Sequence, residues 1–439
     1  MGVKQKIKGL AIAAYLSEPV RKARAGILEA SRRARGQERS ADFYFQADAP
    51  QSYLMAQMVQ RLAAAYPRAW AFHLVPPLAP DVDPAPVKRE KWWTRDAREL
   101  AGFWDLEMPD GPDTVDPVPV KRANQLLLVS RPFDDQLSAA LEVGRALWRN
   151  DRPALDKALG SWGHEASGDI GPVTQRNYAE VRKRGYYAGS SVYYAGEWYA
   201  GVDRLRGLEE RLADEDDRAP DGILTMRPES ERPPERLVEP GTPLELEIFF
   251  SFRSPYSYLA IDRTAHLAER FGLPLRIRPV LPMVTRGLPV PKLKTLFIVR
   301  DAKREAERLG IPFGRISDPL GTAVERCLGA FVAADAQGKG LDFTRSAASG
   351  IWSEALDPST YVDMKTIVER AGLDWETVGT AATGEAWRAT VADNAEELEK
   401  TGLWGVPTFR AGSYSTWGQD RLPLLEDRLR RHVAAEKDA

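Results

Sequence analysis

The chain of 439 residues has few of the residues from which redox and metal sites are built. Its single cysteine, Cys327, excludes an intrachain disulfide and a Cys-x-x-Cys redox pair. Its four histidines stand singly, without the spacing of metal ligands, at His73, His164, His266 and His432. We therefore expect no bound metal and no dithiol chemistry.

Long apolar runs and an excess of one charge are also missing. No apolar stretch approaches the ~18 residues that a membrane-spanning helix needs. The net charge of −2 gives no general reason to expect nucleic acid as a partner. These absences fit a cytoplasmic location.

The chain does contain an internal repeat. Residues 43–54 (FYFQADAPQSYL) resemble residues 248–259 (IFFSFRSPYSYL), and the Asp-Arg-Leu of 203–205 returns at 420–422. Pro50 precedes its counterpart by 205 positions, and the second pair is 217 positions apart. Matched blocks in the same order at nearly fixed separation indicate a tandem duplication. Two domains of about 200 residues also fit the length of the chain.

The composition marks four segments. Residues 1–40 carry ten Lys and Arg against three Glu and are predicted to be a basic amphipathic leader that packs on the body or extends into solvent. The alternative is a helix that lies on a membrane surface. Residues 214–243 hold six prolines and many charges, which predicts an extended, mobile linker. The two domains are then predicted at 41–213 and 244–435.

The two domains are predicted to share one order of elements, a βαβ unit followed by a helical insert and a ββα unit. Such an order is the thioredoxin topology with a helical insertion. We therefore predict an α/β fold with two tandem thioredoxin-like domains. The second domain is predicted to have strands 244–252 and 275–281, helix 255–271, helices within 294–399, strands 407–411 and 414–417, and helix 420–434. The first is predicted to have strands 42–47 and 70–75, helix 50–65, helices within 90–183, a hairpin at 191–200 and helix 203–214.

The junction of the first strand and first helix is where a thioredoxin topology places its active site. Here it reads Ser254-Pro255-Tyr256-Ser257, with serine where a redox protein would have cysteine, so dithiol exchange is excluded at this junction. One interpretation is that Ser254 only caps the helix. The other is that its hydroxyl donates to a thiolate, which the N–H groups and positive end of the helix favour.

Two further motifs favour the interpretation as a binding site. In Gly405-Val406-Pro407-Thr408-Phe409, a cis Pro407 before the third strand would leave the backbone of Val406 free to pair with a peptide-like ligand. In the Trp417–Leu422 block, Asp420 is either a helix cap or a group that recognises an amino-acid head group.

Together, the Phe-x-Ser-Pro-Tyr-Ser-Tyr-Leu, Gly-Val-Pro-Thr-Phe and Trp-Gly-Gln-Asp-Arg-Leu blocks resemble those of the 2-hydroxychromene-2-carboxylate isomerases. That family belongs with the kappa-class glutathione transferases in the DsbA-like thioredoxin superfamily. The resemblance covers roughly residues 245–435 and includes Arg300–Arg304 and Leu309–Pro312 of the insert. It implies glutathione as the cofactor.

The resemblance also implies a role for individual residues. Ser254 would activate the glutathione sulfur, Val406 and Pro407 would pair with its cysteine, and Gln419 and Asp420 would hold its γ-glutamyl head group. A tyrosine is expected where Phe297 stands, so a hydroxyl is missing there. The residues that would lie near the substrate are Arg253, Tyr256, Phe297 and Trp404.

The first half lacks several of these residues. Ala49 stands for Ser254, Gln51 stands for Tyr256, Ser190-Ser191-Val192 stand for Val406-Pro407-Thr408, and Val202 stands for Gln419. We predict a copy that has lost catalysis and that covers the dimerisation surface, giving an intrachain pseudo-dimer. The alternative is an independent pocket lined by Trp92, Trp93, Phe103 and Trp104.

Two functions remain open from the sequence. The first is a glutathione-dependent isomerase or transferase that acts on a conjugated or aromatic small molecule through a thiolate stabilised by Ser254. The alternative is a non-catalytic scaffold or interaction protein that keeps the DsbA-like fold.

Overall fold

The computed structural model describes residues 2–36, 38–163, 168–223, 234–288 and 290–438. The chain divides into two compact units. The C-terminal unit consists of Met1–Arg21, Arg232–Val290 and Thr295–Ala439, and the N-terminal unit consists of Lys22–Glu231 and Pro291–Lys294. His164 lies outside the described residues.

The first part of the chain forms four strands and nine helices within the described residues. The strands make a sheet in the order β2-β1-β3-β4, in which β1 pairs in parallel with β2 and antiparallel with β3. The elements are α1 (Gly2–Leu16), α2 (Glu18–Ala34), β1 (Ser40–Phe45), α3 (Pro50–Ala65), β2 (Ala69–Leu74), α4 (Pro86–Trp104), α5 (Pro117–Leu127), α6 (Phe133–Arg149), α7 (Arg152–Ser161), α8 (Gly171–Lys183), β3 (Ser191–Tyr194), β4 (Glu197–Ala200) and α9 (Val202–Glu215).

The C-terminal unit has a second four-stranded sheet with the same pattern of pairing. Its order is β6-β5-β7-β8, with β5 parallel to β6 and antiparallel to β7. The elements are β5 (Leu246–Phe250), α10 (Pro255–Phe271), β6 (Leu275–Pro279), α11 (Lys292–Leu309), α12 (Thr322–Asp335), α13 (Gly340–Ser349), α14 (Tyr361–Arg370), α15 (Trp375–Thr383), α16 (Trp387–Lys400), β7 (Thr408–Ala411), β8 (Tyr414–Trp417) and α17 (Leu422–Lys437). The predicted α/β class, the two sheets and the helical inserts are confirmed.

The first helix of the C-terminal unit begins and ends where its sequence predicts. Pro255 occupies the first turn of α10, where its missing N–H costs no hydrogen bond. Gly272 ends the helix with φ 64°, a left-handed conformation that glycine adopts without a steric penalty. Ile248 and Phe250 of β5 are fully buried in the core that α10 helps to form.

The opposite face of β5 holds a buried ion cluster. Glu247 accepts hydrogen bonds from Arg278 of β6 and Arg410 of β7. Asn394 of α16 covers this face, and its Oδ1 accepts from Arg278 at 3.2 Å. Burial alone would raise the pKa of Glu247, but the two arginines outweigh it and hold that pKa below the usual glutamate value.

The first 21 residues of the basic leader belong to the C-terminal unit. Leu16 of α1 is 2% exposed and belongs to the core of this unit. A Cβ on Gly9 would lie 2.8 Å from the carbonyl oxygen of Ile316, so the helix packs closely here. The Arg21 guanidinium donates to Glu307 at 2.7 Å. The helix α1 therefore packs on the C-terminal unit and does not extend into solvent, and contact of the leader with a membrane surface stays a prediction.

The predicted mobile linker over 214–243 makes fixed contacts near its C-terminal end. Leu237 is 3% exposed, and its N–H donates to Nδ1 of His432 at 3.0 Å. Glu235 pairs with Arg428 of α17. The sequence composition hid these contacts because one buried leucine and one ion pair are enough to anchor a short segment. Residues 224–233 lie outside the described residues.

Among the helices that the structure describes, none is both long enough and apolar enough to cross a bilayer.

Candidate active site

One edge of the C-terminal sheet collects the ends of all four strands. β5 and β6 end at this edge, β7 begins there, and β8 ends there, because β7 runs antiparallel to its two neighbours. The segments that leave the edge are the Ser254 junction after β5, the turn Met283–Arg286 after β6, Val406–Pro407 before β7 and Gly418–Asp420 after β8. Three of these four segments contain residues that the sequence motifs singled out.

Ser254 caps α10, as one interpretation of the sequence predicted. Its Oγ accepts the N–H of Ser257 at 3.1 Å. The same hydroxyl donates to the carbonyl oxygen of Val406 at 3.4 Å, which is long for an O–H···O bond. The side chain is partly exposed. Ser254 therefore keeps a weakly held proton at the positive end of a helix, and the capping role leaves that proton available to an anion.

The Val406–Pro407 peptide bond is cis, which confirms the prediction. No described residue accepts a hydrogen bond from the N–H of Val406, and this residue is partly exposed. The Oγ1 of Thr408 donates to the carbonyl oxygen of Gly405 at 2.9 Å and closes the turn. The loop therefore has an N–H at Val406 that no described residue uses, and the carbonyl oxygen of the same residue lies 3.4 Å from the Ser254 hydroxyl.

Two tryptophans hold this loop in place. Trp404 and Trp417 pack with their ring centroids 4.8 Å apart. A Cβ on Gly405 would run into the indole of Trp417, so only glycine fits at this position. Trp404 is 4% exposed, which makes it a support for the loop more than a surface for substrate.

Tyr256 is tied to the insert helix α11. Its hydroxyl donates to Oδ2 of the buried Asp301 at 2.8 Å, and Arg304 donates to the other carboxylate oxygen at 2.8 Å. Phe297 lies one turn before Asp301 on the same helix and is 9% exposed. The sequence marks Asp301 and Arg304 only as part of the insert motif and gives no sign that they join Tyr256.

Arg253 precedes the capping serine, and its side chain also pairs with another residue of this chain. Its guanidinium forms a two-pronged ion pair with Asp318 at 2.8 and 3.2 Å. This pair joins the β5–α10 junction to the loop before α12. The ion pair fixes the β5–α10 junction. A substrate that contacts the Arg253 guanidinium would have to share it with Asp318.

Gln419 and Asp420 lie in a short 3₁₀ turn that precedes α17. The Gln419 side-chain amide donates to Glu305 at 3.0 Å and accepts from Arg263 at 2.5 Å, and the residue is 1% exposed. At that burial Gln419 cannot reach a ligand without moving, so the structure favours a supporting role instead of the predicted contact with glutathione. Asp420 is more exposed, and its carboxylate lies 3.4 Å from Arg421.

Arg286 is a residue at this edge that no sequence motif revealed. Its Nη2 donates to the carbonyl oxygen of Trp404 at 2.7 Å, immediately before the Gly405–Pro407 loop. Burial lowers the pKa of the Arg286 guanidinium below its ordinary value. A single arginine in a short turn carries no distinctive sequence pattern.

The equivalent junction of the N-terminal unit is built differently. Ala49 stands before α3 and gives it no side-chain cap. The Oγ atoms of Ser52 and Ser190 lie 2.8 Å apart, and Ser190 has φ 52°. Within the described residues the one cis peptide bond is that of Pro407, so this unit shows none. The hydroxyl and the cis loop of the C-terminal unit are therefore both missing here.

The tryptophan cluster of the N-terminal unit is only partly buried. The guanidinium of Arg89 lies 4.2 Å from the ring centre of Trp93, and Phe103 packs edge to face with Trp104 at 5.1 Å. Trp92 is partly exposed.

Cys327 and His266 both lie in surroundings that do not favour catalysis. Cys327 is fully buried, and burial raises the pKa of its thiol. It behaves as a small apolar core residue, as predicted. His266 is a surface residue whose nearest carboxylate, that of Glu269, is 4.0 Å away.

The C-terminal unit is similar to known proteins in sequence. Residues 245–430 match the model of the DSBA-like thioredoxin domain. The 2-hydroxychromene-2-carboxylate isomerase of Sphingobium xenophagum is 26% identical over 194 residues, which cover 42% of this chain and 97% of that protein. The enzyme of the same name from Pseudomonas putida is 25% identical over 194 residues, which cover 42% of this chain and 94% of that protein.

Solved structures give matches of similar extent. A 2-hydroxychromene-2-carboxylate isomerase structure aligns with a TM-score of 0.39 and 24% identity, covering 44% of this chain and 98% of that chain. The cytosolic disulfide reductase DsbM from Pseudomonas aeruginosa with GSH aligns with a TM-score of 0.33 and 19% identity, covering 44% of this chain and 98% of that chain.

Proposed function

We propose that this protein is a glutathione-dependent isomerase or transferase, and the match of residues 245–430 to the DSBA-like thioredoxin domain supports this proposal. Its substrate would be a conjugated or aromatic small molecule like that of the 2-hydroxychromene-2-carboxylate isomerases. Three relatives with that name, at 26%, 25% and 23% identity, support the isomerase over the transferase.

The observation that carries the proposal is the juxtaposition of Ser254 and Val406. The Ser254 hydroxyl has a weakly held proton to donate to a sulfur anion, and the N–H of Val406 is open to a peptide carbonyl. Ser254 lies at the N-terminus of α10, whose dipole stabilises negative charge, and the carbonyl oxygen of Val406 is 3.4 Å from its hydroxyl. Serine in place of cysteine at this junction suits a protein that holds the thiol of a bound molecule and does not supply its own.

Bound glutathione would supply the nucleophile: its sulfur bonds to one carbon of a conjugated double bond, rotation follows about the resulting single bond, and cleavage of the same carbon–sulfur bond returns the thiol with no net change in atoms. The chain would contribute Ser254 as hydrogen-bond donor to the sulfur and Val406 as the backbone clamp that orients the tripeptide. The Asp420 carboxylate would bind the ammonium group of the γ-glutamyl end of glutathione.

The N-terminal unit is proposed to be a copy without catalysis that arose by tandem duplication. Its sheet has the same order and strand directions as that of the C-terminal unit. It lacks the serine cap and the cis loop, and its Ala49 has no group that could donate to a sulfur. An intrachain pseudo-dimer and the absence of nucleic-acid partners stay predictions.

The proposal is tested with the full-length protein and three measurements. Glutathione should raise the melting temperature by mass action, about 2.7 kcal/mol of stabilisation at one hundred times its Kd. Isomerisation of 2-hydroxychromene-2-carboxylate should require glutathione, and the concentration of glutathione should not change during the reaction. Consumption of glutathione into an adduct would assign a transferase instead. Absence of both a thermal shift and a glutathione-dependent rate would overturn the proposal.

A further inference from the structure

Arg286 has an unusual environment for a charged side chain. Its Nη2 donates to the Trp404 carbonyl at 2.7 Å, while its Nε is buried and has no hydrogen-bond partner among the described residues. A guanidinium has five N–H donors, so this contact leaves most of them unused. Glu399 acts on Arg286 through space and favours its charged form.

A partly buried cation normally has an anion beside it, because desolvating an unpaired charge is unfavourable. Arg253 follows this rule at the same edge through its pair with Asp318. Arg286 does not: within the described residues it forms no ion pair. Arg286 is therefore a cation at the sheet edge that forms no ion pair within the described residues, and Glu399 acts on it only through space.

The order of the strands sets the order of groups along this edge. Arg286 follows β6, Ser254 follows β5, Val406 precedes β7 and Asp420 follows β8, and the sheet order is β6-β5-β7-β8. Neighbouring strands lie about 4.8 Å apart, so the edge from β6 to β8 spans about 14 Å. A tripeptide in extended conformation reaches about 10 Å, and the reach of the Arg286 and Asp420 side chains covers the remainder.

Glutathione has a thiol at its centre, an amino-acid head group at one end and a glycine carboxylate at the other. With the sulfur at Ser254 and the head group at Asp420 beyond β7, the glycine carboxylate is directed toward the turn after β6. We propose that Arg286 binds this carboxylate. The inference rests on the proposed function, since it takes glutathione as the ligand.

Arginine suits this task better than lysine. Its planar fork can donate two parallel hydrogen bonds to one carboxylate while a further N–H keeps the Trp404 carbonyl. The carboxylate would also supply the missing counter-charge. Because Trp404 leads directly into the Gly405–Pro407 loop, binding at the glycine end would be transmitted to the backbone that holds the cysteine of the ligand.

The test compares glutathione with its glycine monoethyl ester, in which an uncharged ethyl ester replaces that carboxylate. Dissociation constants are measured by calorimetry for the unmodified protein, for Arg286→Gln and Arg286→Lys, and for Arg276→Gln as a control. Arg276 lies on β6 and pairs with Glu245 in an exposed ion pair, so its loss leaves the sheet edge intact. We expect esterification to weaken binding to the unmodified protein and the control about tenfold or more.

Arg286→Gln should lose at least as much affinity for glutathione and should no longer distinguish it from the ester. Arg286→Lys should retain part of the discrimination, since it keeps the charge without the fork. If Arg286→Gln weakens both ligands equally, Arg286 only supports the loop through Trp404, and the inference is overturned while the proposed function stands. If the unmodified protein binds neither ligand, the proposed function fails and the inference fails with it.

Discussion

The Ser254 hydroxyl donates to the Val406 carbonyl over 3.4 Å, so the start of α10 and the start of β7 share one weak hydrogen bond. A strong acceptor near Ser254 would take this proton, because a thiolate accepts it with a full charge whereas the carbonyl accepts it at a poor distance. The oxygen can continue to cap the helix through Ser257 at the same time.

Ser254→Ala is expected to reduce activity far more than stability. Loss of the cap costs about 1 kcal/mol of unfolding free energy, whereas loss of a hydrogen bond to a reacting anion lowers kcat/KM about 100-fold. The pH profile of the rate should move to higher pH, because the bound thiol then ionises at higher pH. Steady-state rates across pH and urea unfolding measure the two effects.

Thr360→Ala is the matched control for that variant. Thr360 caps α14 by accepting the N–H of Asp363 at 3.2 Å, so its removal costs a similar amount of stability. Activity should be unaffected. Equal loss of activity in both variants would show that the effect of Ser254→Ala is structural and not chemical.

Gly405→Ala should disturb the site because there is no room for a methyl group. The added Cβ would overlap the indole of Trp417, and the loop that carries Val406 would have to shift. Such overpacking costs about 1–3 kcal/mol, and we expect glutathione affinity to fall with it. Gly160→Ala in α7 is the control, since nothing lies near its Cβ position. A Gly405→Ala protein with unchanged affinity would contradict the assignment of this loop to the site.

Tyr256→Phe is expected to destabilise the protein more than Tyr258→Phe. The Tyr256 hydroxyl donates to the buried carboxylate of Asp301, whereas that of Tyr258 donates to the neutral carbonyl of Pro312. Hydrogen bonds to charged groups contribute about 1.5–3 kcal/mol, against about 1 kcal/mol for neutral pairs. Urea unfolding measures both, and the Tyr256→Phe effect should shrink in an Asp301→Asn background. Equal losses for the two tyrosines would show that Asp301 is not a special partner.

The local elements of the fold could be predicted from the sequence because their signals are local. Pro255 and Gly272 mark the two ends of α10, and the structure places both ends there. The cis bond at Pro407 also follows from the position of a proline before the third strand of this topology. These features depend on neighbouring residues and on a repeated pattern.

The contacts that join distant segments could not be predicted in the same way. Gln419 is buried because Glu305 and Arg263 come together around it, and its sequence shows only an exposed-looking polar residue before a helix. Leu237 is one of the few apolar residues in a charged segment, yet its N–H donates to His432. In each case the partner is more than a hundred residues away, and no periodicity records such a pairing.

Acid should remove the stability contributed by the Glu247 cluster. Arg410 and Arg278 lower the pKa of Glu247 despite its burial, so this carboxylate stabilises the fold when it is ionised. Its contribution is complete above the ordinary glutamate pKa of 4.5 and is lost as the pH falls through the lowered value. Glu247→Gln should therefore be less stable at neutral pH and should lose less stability on acidification. Glu245→Gln, which breaks only an exposed pair with Arg276, should retain the acid sensitivity of the unmodified protein.

The first helix can be tested as a structural part of the C-terminal unit. Leu16 is 2% exposed and contacts the core, whereas Leu10 on the same helix is 57% exposed. Leu16→Ala should lower the free energy of unfolding by about 2–5 kcal/mol, because it removes buried methyl groups and leaves a cavity. Leu10→Ala should change it by less than about 0.5 kcal/mol. Urea unfolding of the two variants decides the matter: similar, small effects would mean that α1 is a detachable extension, and a large effect of Leu16→Ala alone would mean that the unit needs it to complete its core.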